Sequence, residues 1–227
     1  MRMLAPVLRV RRGGTHRLIR SVFPAVGIFD DVASPDEIAD IFELENWTND
    51  RISNEYGVLF TIPKNEWVTG VPGASVIMAA FCHPRETGGR FNLPSRGAWY
   101  SAVKLETAFE ETIFHYTKEF LDELSVTETY VHVREYLADF DCNLHDVRSS
   151  RFSGCYHKNN YSGGQKVAAD LLKNGSNGVI YTSVCHPKHD CIACFRPKLI
   201  SNVRQGDHFE YRWRGDRRPT ITKLSIP

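Results

Sequence analysis

Residues 86–115, ETGGRFNLPSRGAWYSAVKLETAFEETIFH, constrain this chain more than any other stretch. Gly88 and Gly89 carry no Cβ, so the backbone there can turn sharply and be approached closely, and the turn delivers Arg90 to whatever lies beside it. Beyond the breakers Pro94 and Gly97, the short aromatic run 98–102 (AWYSA) reads as a strand ending near Tyr100. Leu105, Ala108, Phe109, Thr112, Ile113 and Tyr116 then recur at helical spacing. That spacing sets Glu111 and His115, four residues apart, on one face of a helix. A fold containing this segment must run loop, strand and helix in immediate succession.

The whole chain supports a packed core around that segment. At 227 residues it suits one domain with an insertion better than two domains. Hydrophobic residues at 42% and charged residues at 24% exclude a disordered or fibrous chain. The balance of 28 basic against 27 acidic side chains excludes a global field that would draw the protein to nucleic acid or a membrane surface. No run reaches the ~18 apolar residues of a membrane span, and residues 1–10 lack a small-residue cleavage site, so a cytoplasmic protein is expected. Cys82, Cys142, Cys155, Cys185, Cys191 and Cys194 then read as free thiols or ligands rather than a disulfide framework.

Residues 1–14 are basic and end in Arg11-Arg12-Gly13-Gly14, which reads as a mobile leader; residues 15–227 form the domain, with an insertion at about 31–80. Residues 16–23 read as an entry strand carrying Arg17 and Arg20, ended by Pro24. Ser34-Pro35-Asp36-Glu37 is a helix start with Ser at the N-cap and Pro at the first helical position. A polar loop at 46–54 anchored by Trp47 and a strand at 56–62 follow, and then the apolar, Ala-rich run 71–82, whose composition suits a helix or a buried strand and is read as a helix from Gly73. Downstream, 128–139 reads as a strand, 143–160 as irregular, 165–172 as a helix closed by Asn174 and Gly175, and 178–183 with 191–195 as a hairpin. Two more strands are expected at 209–213 and 220–224. Hairpins interspersed with helices predict an α+β fold with a mixed or antiparallel sheet core and surrounding helices, not a doubly wound parallel sheet.

Arg90, Tyr100 and Glu111 match no common nucleophilic triad, and the chain has no G-x-S-x-G, Walker or dinucleotide glycine pattern. The set suits a substrate with phosphates and a leaving group on an anomeric carbon. Arginine forks onto phosphate oxygens. Tyrosine presents a flat face and a hydroxyl to a planar ring. A carboxylate holds a ribose hydroxyl and stabilises the positive charge that grows as a glycosidic bond breaks.

The segment GGRFN, Tyr100 ten residues after Arg90, the helix ETAFEETIFH and the later GVIYTS and CIACF together resemble the RES domain family. The resemblance implies an ADP-ribosyltransferase-like fold and a toxin of a toxin–antitoxin pair, with an Xre-type antitoxin as partner and nucleic acid reached only through it. It implies NAD+ as the substrate, consumed by hydrolysis, phosphorolysis or transfer of ADP-ribose to a protein acceptor, with no metal. Carried over residue by residue, it makes Arg90 a phosphate or ribose contact, Tyr100 the nicotinamide-side aromatic and Glu111 the carboxylate beside the ribose. Ser183 organises the pocket, and His115 stands behind Glu111 or touches substrate, while Arg17 is a further NAD+ contact. The chain departs from the family pattern in its long 31–80 segment, in Phe91 where Trp is common, and in Val184-Cys185-His186 where an Arg often follows the serine.

A rival reading comes from Cys185-His186-x2-His189-x-Cys191-x2-Cys194, which resembles half of a structural zinc site and would make the protein a zinc-stabilised binding module. Strand alternation argues against chelation, because Cys191 and Cys194 fall on opposite faces of a strand over 191–195. Arg212, Arg214, Arg217 and Arg218 near Tyr211 and Trp213 could form a nucleic-acid surface, but no recognition motif accompanies them, and they read as a solvated face.

Overall fold

The computed structural model describes residues 5–23, 27–32, 34–38 and 58–225. Its spine is the long strand β3, Glu128–Asp146, in which buried side chains alternate with exposed ones. Along one edge β3 pairs antiparallel with β1, Val7–Arg20, from Val7 opposite His145 to Arg20 opposite Val133. Along the other edge it pairs antiparallel with β6, Ser201–Arg214, from Glu128 opposite Arg214 to Asp139 opposite Ser201, and parallel with β4, Gly178–Thr182, at His145 and Asp146. The hairpin of β4 with β5, Asp190–Cys194, brings in β2, Trp99–Ala102, which returns to β1. Strands β1, β2, β5, β4 and β3 thus close on one another, while β6 and β7, Thr220–Leu224, extend outward from β3. The result is the expected α+β fold with a largely antiparallel sheet.

Among the described residues, three longer helices cover the two faces. Helix α1, Ala74–Cys82, packs with Phe29, Leu59, Ile62 and Trp67 on one side of the sheet. Helix α2, Leu105–Thr117, runs on as a π-turn over Lys118–Glu123 and shares the other side with α3, Ser162–Lys173. Strand β5 shows how one sequence serves both cores: Ile192 and Cys194 face α1, whereas Cys191 and Ala193 face α2 and α3.

The helix starting at Ser34 opens with a reciprocal cap, Glu37 N donating to Ser34 Oγ (3.3 Å) and Ser34 N to Glu37 Oε2 (3.1 Å). Residues 39–57, which include the loop expected at 46–54 and much of the expected insertion, lie outside the described residues.

Three expectations are corrected. Residues 7–14 belong to β1 and not to a mobile leader: Leu8 and Val10 turn inward, and Arg9 Nε lies 2.6 Å from Asp141 Oδ1 on β3. The Gly13-Gly14 pair, expected to end that leader, instead marks a register shift between Arg12 and Thr15, with Gly14 at φ +64° and its N–H on Asp139 Oδ1 (2.7 Å). The strand expected at 56–62 is, where described, a 3-10 turn at Leu59–Thr61. Leu59 and Ile62 are buried against α1, and the Ile62 carbonyl accepts from Trp67 Nε1 (2.9 Å), so tertiary burial explains the apolar run without a partner strand. Residues 143–160 are less irregular than expected, since β3 continues to Asp146 and a 3-10 segment forms at Ser150–Cys155.

Candidate active site

Strands β1 and β2 pair at His16 and Ala102 and then part. A cavity of about 810 Å³ occupies the opening, walled by β1, β2, α1, α2 and the glycine loop before β2. Arg17 stands at the divergence. Its Nη1 donates to the Tyr100 carbonyl (3.1 Å) and its guanidinium lies 4.9 Å over the Trp99 ring. Burial lowers its pKa to about 10, which leaves it charged at neutral pH.

The glycine loop is held from two directions. Gly88 has φ +71°, and a Cβ on Gly89 would come within 2.4 Å of Asn92 Oδ1 and 2.8 Å of Tyr100 Oη. Tyr100 Oη accepts from Phe91 N (2.8 Å) and donates to Asn92 Oδ1 (2.9 Å), so the tyrosine clamps the loop as well as facing the cavity. Burial pushes its phenol up, which keeps it a neutral donor. From α3, Gln165 Nε2 donates to the carbonyls of Thr87 (2.8 Å) and Gly89 (3.1 Å).

Arg90, only 8% exposed, is placed by backbone. Its Nη1 donates to the carbonyls of Cys155 (2.7 Å) and His157 (2.8 Å), and its guanidinium sits 4.8 Å over the Tyr161 ring. Helix α3 can approach because of Gly164, whose Cβ would meet Arg90 O at 2.2 Å. One edge of the guanidinium is thus spent on the fold, and its remaining nitrogens bond no protein group among the described residues.

Glu111 and Ser183 come from different elements, α2 and the end of the β4–β5 hairpin. Ser183 Oγ donates to Glu111 Oε1 (2.6 Å) and accepts from His186 N (2.8 Å). Because a backbone N–H can only donate, the serine proton is directed at the carboxylate. Ser183 itself is 2% exposed and fixed by its own N–H on the His189 carbonyl (2.8 Å).

One turn beyond, His115 Nδ1 lies 2.8 Å from Arg85 Nη1. A guanidinium offers only donors, so His115 accepts and carries its proton on Nε2. Burial first, then the charges of Arg85, Arg90 and Lys118, lower its pKa to about 3. The imidazole is neutral at working pH.

The structure gathers Arg17, Arg90, Tyr100, Glu111 and His115 around the cavity, with Ser183 behind Glu111. Sequence reading missed Arg85, Asn92, Tyr161 and Tyr181, which also line it. Arg85 stands just before the glycine loop and its position was the available signal; Tyr161 lies in the stretch expected to be irregular, where nothing marked it. Cys185 is half-buried near Glu111, its thiol pushed up to about 12 by burial and then by that carboxylate.

The zinc-like segment is used otherwise. Cys191 lies in the core under α2, whereas Cys194 lies in the core under α1 with its thiol on the Arg196 carbonyl (3.3 Å). His186 Nδ1 is 2.9 Å from Thr107 Oγ1. Among the described residues, no three His, Cys, Asp or Glu side chains are placed together to hold a metal. The C-terminal arginines include ion pairs, Arg212 with Glu210, Arg217 with Asp122 and Arg218 with Glu110. No helix among the described residues is long and apolar enough to cross a membrane.

Residues 62–214 match the family model described as RES domain. Among curated proteins, the uncharacterized protein y4oC of Sinorhizobium fredii is 26% identical over 215 residues, covering 89% of this chain and 84% of that protein. Among solved structures, a chain of the M. tuberculosis MbcT–MbcA toxin–antitoxin complex is similar over 90% of this chain and 86% of its own, with TM-score 0.49 and 11% identity.

Proposed function

The chain belongs to the RES domain family, and from that premise we propose that it consumes NAD+ by breaking the nicotinamide–ribose bond. The observation that carries this reading is the serine-held carboxylate of Glu111 on the wall of a cavity that also presents Arg17, Arg90 and Tyr100. The volume of about 810 Å³ lies within the ~300–1,000 Å³ of small-molecule sites.

In this reading the pyrophosphate lies toward Arg90 and Arg17, each with nitrogens left over from its structural bonds. Nicotinamide lies against Tyr100. As the bond from the ribose anomeric carbon to the pyridinium nitrogen breaks, its electron pair goes to nicotinamide, which leaves neutral. Positive charge develops on the ribose ring, and Glu111 stabilises it from a fixed position. Ser183 holds Oε1, so Oε2 is the oxygen available to the ribosyl group. Water, phosphate or an acceptor side chain then bonds to the anomeric carbon and loses its proton to solvent or to Glu111. A neutral His115 adds no positive charge beside the developing cation.

The wider role that goes with this chemistry is a toxin restrained by an Xre-type antitoxin, with a protein acceptor of ADP-ribose as a further partner. The test is nicotinamide release from NAD+ by purified protein, with and without inorganic phosphate, followed by product mass. Free ADP-ribose is the product of hydrolysis, and its phosphorylated form that of phosphorolysis. No nicotinamide release under any condition, with candidate acceptor proteins included, would overturn the reading.

A further inference from the structure

A nucleophile that arrives protonated must lose its proton as it bonds to the anomeric carbon, and most of the cavity wall cannot take it. Glu111 has Oε1 on Ser183 and, in the proposed reaction, Oε2 on the ribosyl group. His115 has Nδ1 on Arg85 and its proton on Nε2, so neither nitrogen is free to accept. Arg17 and Arg90 have only hydrogens to donate, and Glu119 is paired with Arg20. His83 caps the exposed end of α1, across the sheet from α2.

His16 differs from all of these. It lies on β1 opposite Ala102, and strand alternation sets it on the sheet face of Leu18, Tyr100 and Ala102, the face that α2 covers. Its side chain is 21% exposed, and the residue lines the cavity. Nδ1 lies 2.6 Å from Glu135 Oε1, diagonally across the pairing of β1 with β3, where Glu135 stands opposite Leu18. Glu135 is 4% exposed. Burial alone would push its carboxyl up, but the bonds from His16 and from Asp207 N, 3.1 Å from Oε2, outweigh it and hold the pKa below the usual carboxylate value. An ionised Glu135 offers only acceptors, so Nδ1 is the donor. In the neutral ring Nε2 then keeps its lone pair, and it bonds no protein group among the described residues.

The fold makes room for this buried acid. The register of β3 with β6 shifts between Arg134 and Tyr136, so two residues, Gly206 and Asp207, stand opposite Glu135 alone. A Cβ on Gly206 would meet Glu135 Oε2 at 2.3 Å. A carboxylate fixed behind a histidine selects the ring tautomer and stabilises the imidazolium that forms when the far nitrogen takes a proton.

We infer that His16, positioned by Glu135, is the general base of the reaction and that the nucleophile it serves is water. The inference rests on the proposed NAD+ chemistry and fixes the attacking group within it. As the water oxygen bonds to the anomeric carbon, one of its protons passes to His16 Nε2. The imidazolium, steadied by Glu135, returns that proton to solvent after ADP-ribose has left. Phosphate, already an anion, needs no such group.

The experiment follows nicotinamide release and product mass in phosphate-free buffer for wild type, His16→Asn, His16→Gln and Glu135→Gln, each checked for folding by circular dichroism. Every protein is assayed with and without sodium azide, an anionic nucleophile that needs no base. The wild type should form ADP-ribose, and azide should raise its rate less than about twofold. The amide of His16→Asn can still donate to Glu135, so its KM should stay within about twofold while kcat falls about 10²–10⁴-fold. His16→Gln repeats the test with a longer amide should the asparagine variant not fold. Azide should raise release by the His16 variants about tenfold or more, with the azide adduct of ADP-ribose as product. Glu135→Gln should lower kcat about tenfold or more and respond to azide in the same way, which a purely structural pairing would not. A folded His16 variant with kcat within about threefold of wild type, or a loss that azide does not relieve, would overturn the base. A wild type that turns over only when phosphate is supplied would also overturn it while leaving the NAD+ chemistry standing. No nicotinamide release by the wild type under any condition overturns that chemistry, and the base with it.

Discussion

Ser183 Oγ lies 2.6 Å from Glu111 Oε1 and is turned toward it by the backbone N–H of His186. In the proposed reaction the serine therefore acts through the carboxylate. Ser183→Ala should leave Glu111 present but free to rotate, which costs kcat more than KM. A hydrogen bond to a charged group is worth about 1.5–3 kcal/mol, so kcat should fall about tenfold to 150-fold with KM within about twofold. A rise in KM with unchanged kcat would place Ser183 in substrate binding instead.

Glu111→Gln tests the charge itself. The amide is isosteric and its carbonyl can still accept from Ser183, so the local geometry survives. Nicotinamide release should fall by about 10²–10³-fold while thermal unfolding stays near the wild-type temperature. Turnover at the wild-type rate would remove Glu111 from the chemistry.

What the sequence disclosed of this site, and what it hid, follows from how far each residue's surroundings are local. Glu111 and His115 were legible because helical spacing fixes a shared face within one element. The loop, β2 and α2 were legible because glycines, proline and period changes mark their limits. The α+β class followed from the hairpin signals at β4 and β5. What stayed hidden depends on contacts distant in sequence. Arg90 is oriented by the carbonyls of Cys155 and His157, and the pairing of residues 7–14 with β3 needs partners from the middle of the chain. The arginines and glycines of residues 9–14 mimic a solvated tail, although the inward Leu8 and Val10 carried a faint alternation. Leu59 and Ile62 misled because an apolar run is buried equally well in a turn.

Gly164→Ala tests how α3 positions Arg90. The added methyl would meet the Arg90 carbonyl at 2.2 Å, where only backbone movement gives relief. Overpacking of this kind costs about 1–3 kcal/mol, so urea unfolding should shift down by that amount, and KM for NAD+ should rise as Arg90 moves. Gly154→Ala is the control, since nothing lies within 4 Å of its added Cβ. Equal stability of the two variants would show that α3 yields without disturbing the arginine.

His115 predicts a pH dependence of stability whose sign is fixed by its environment. Its folded pKa is lowered from 6.5 to about 3, by burial and then by Arg85, Arg90 and Lys118. Between those values the unfolded chain binds a proton that the native protein refuses. Stability therefore rises with pH across the window: it is undiminished by this residue above about 6.5 and is lost progressively as pH falls toward 3. Arg85 enforces the refusal, because its donation to Nδ1 requires a lone pair there. His115→Gln removes the titrating group and leaves every carboxylate in place, so the acid loss common to both proteins cancels in the comparison. Urea unfolding at pH 7 and pH 4.5 should show the wild type losing more stability than the variant, by up to about 1.4 kcal/mol for each pH unit below the histidine's ordinary pKa. Parallel losses would mean that His115 takes up its proton in the folded state, with the imidazole turned away from Arg85.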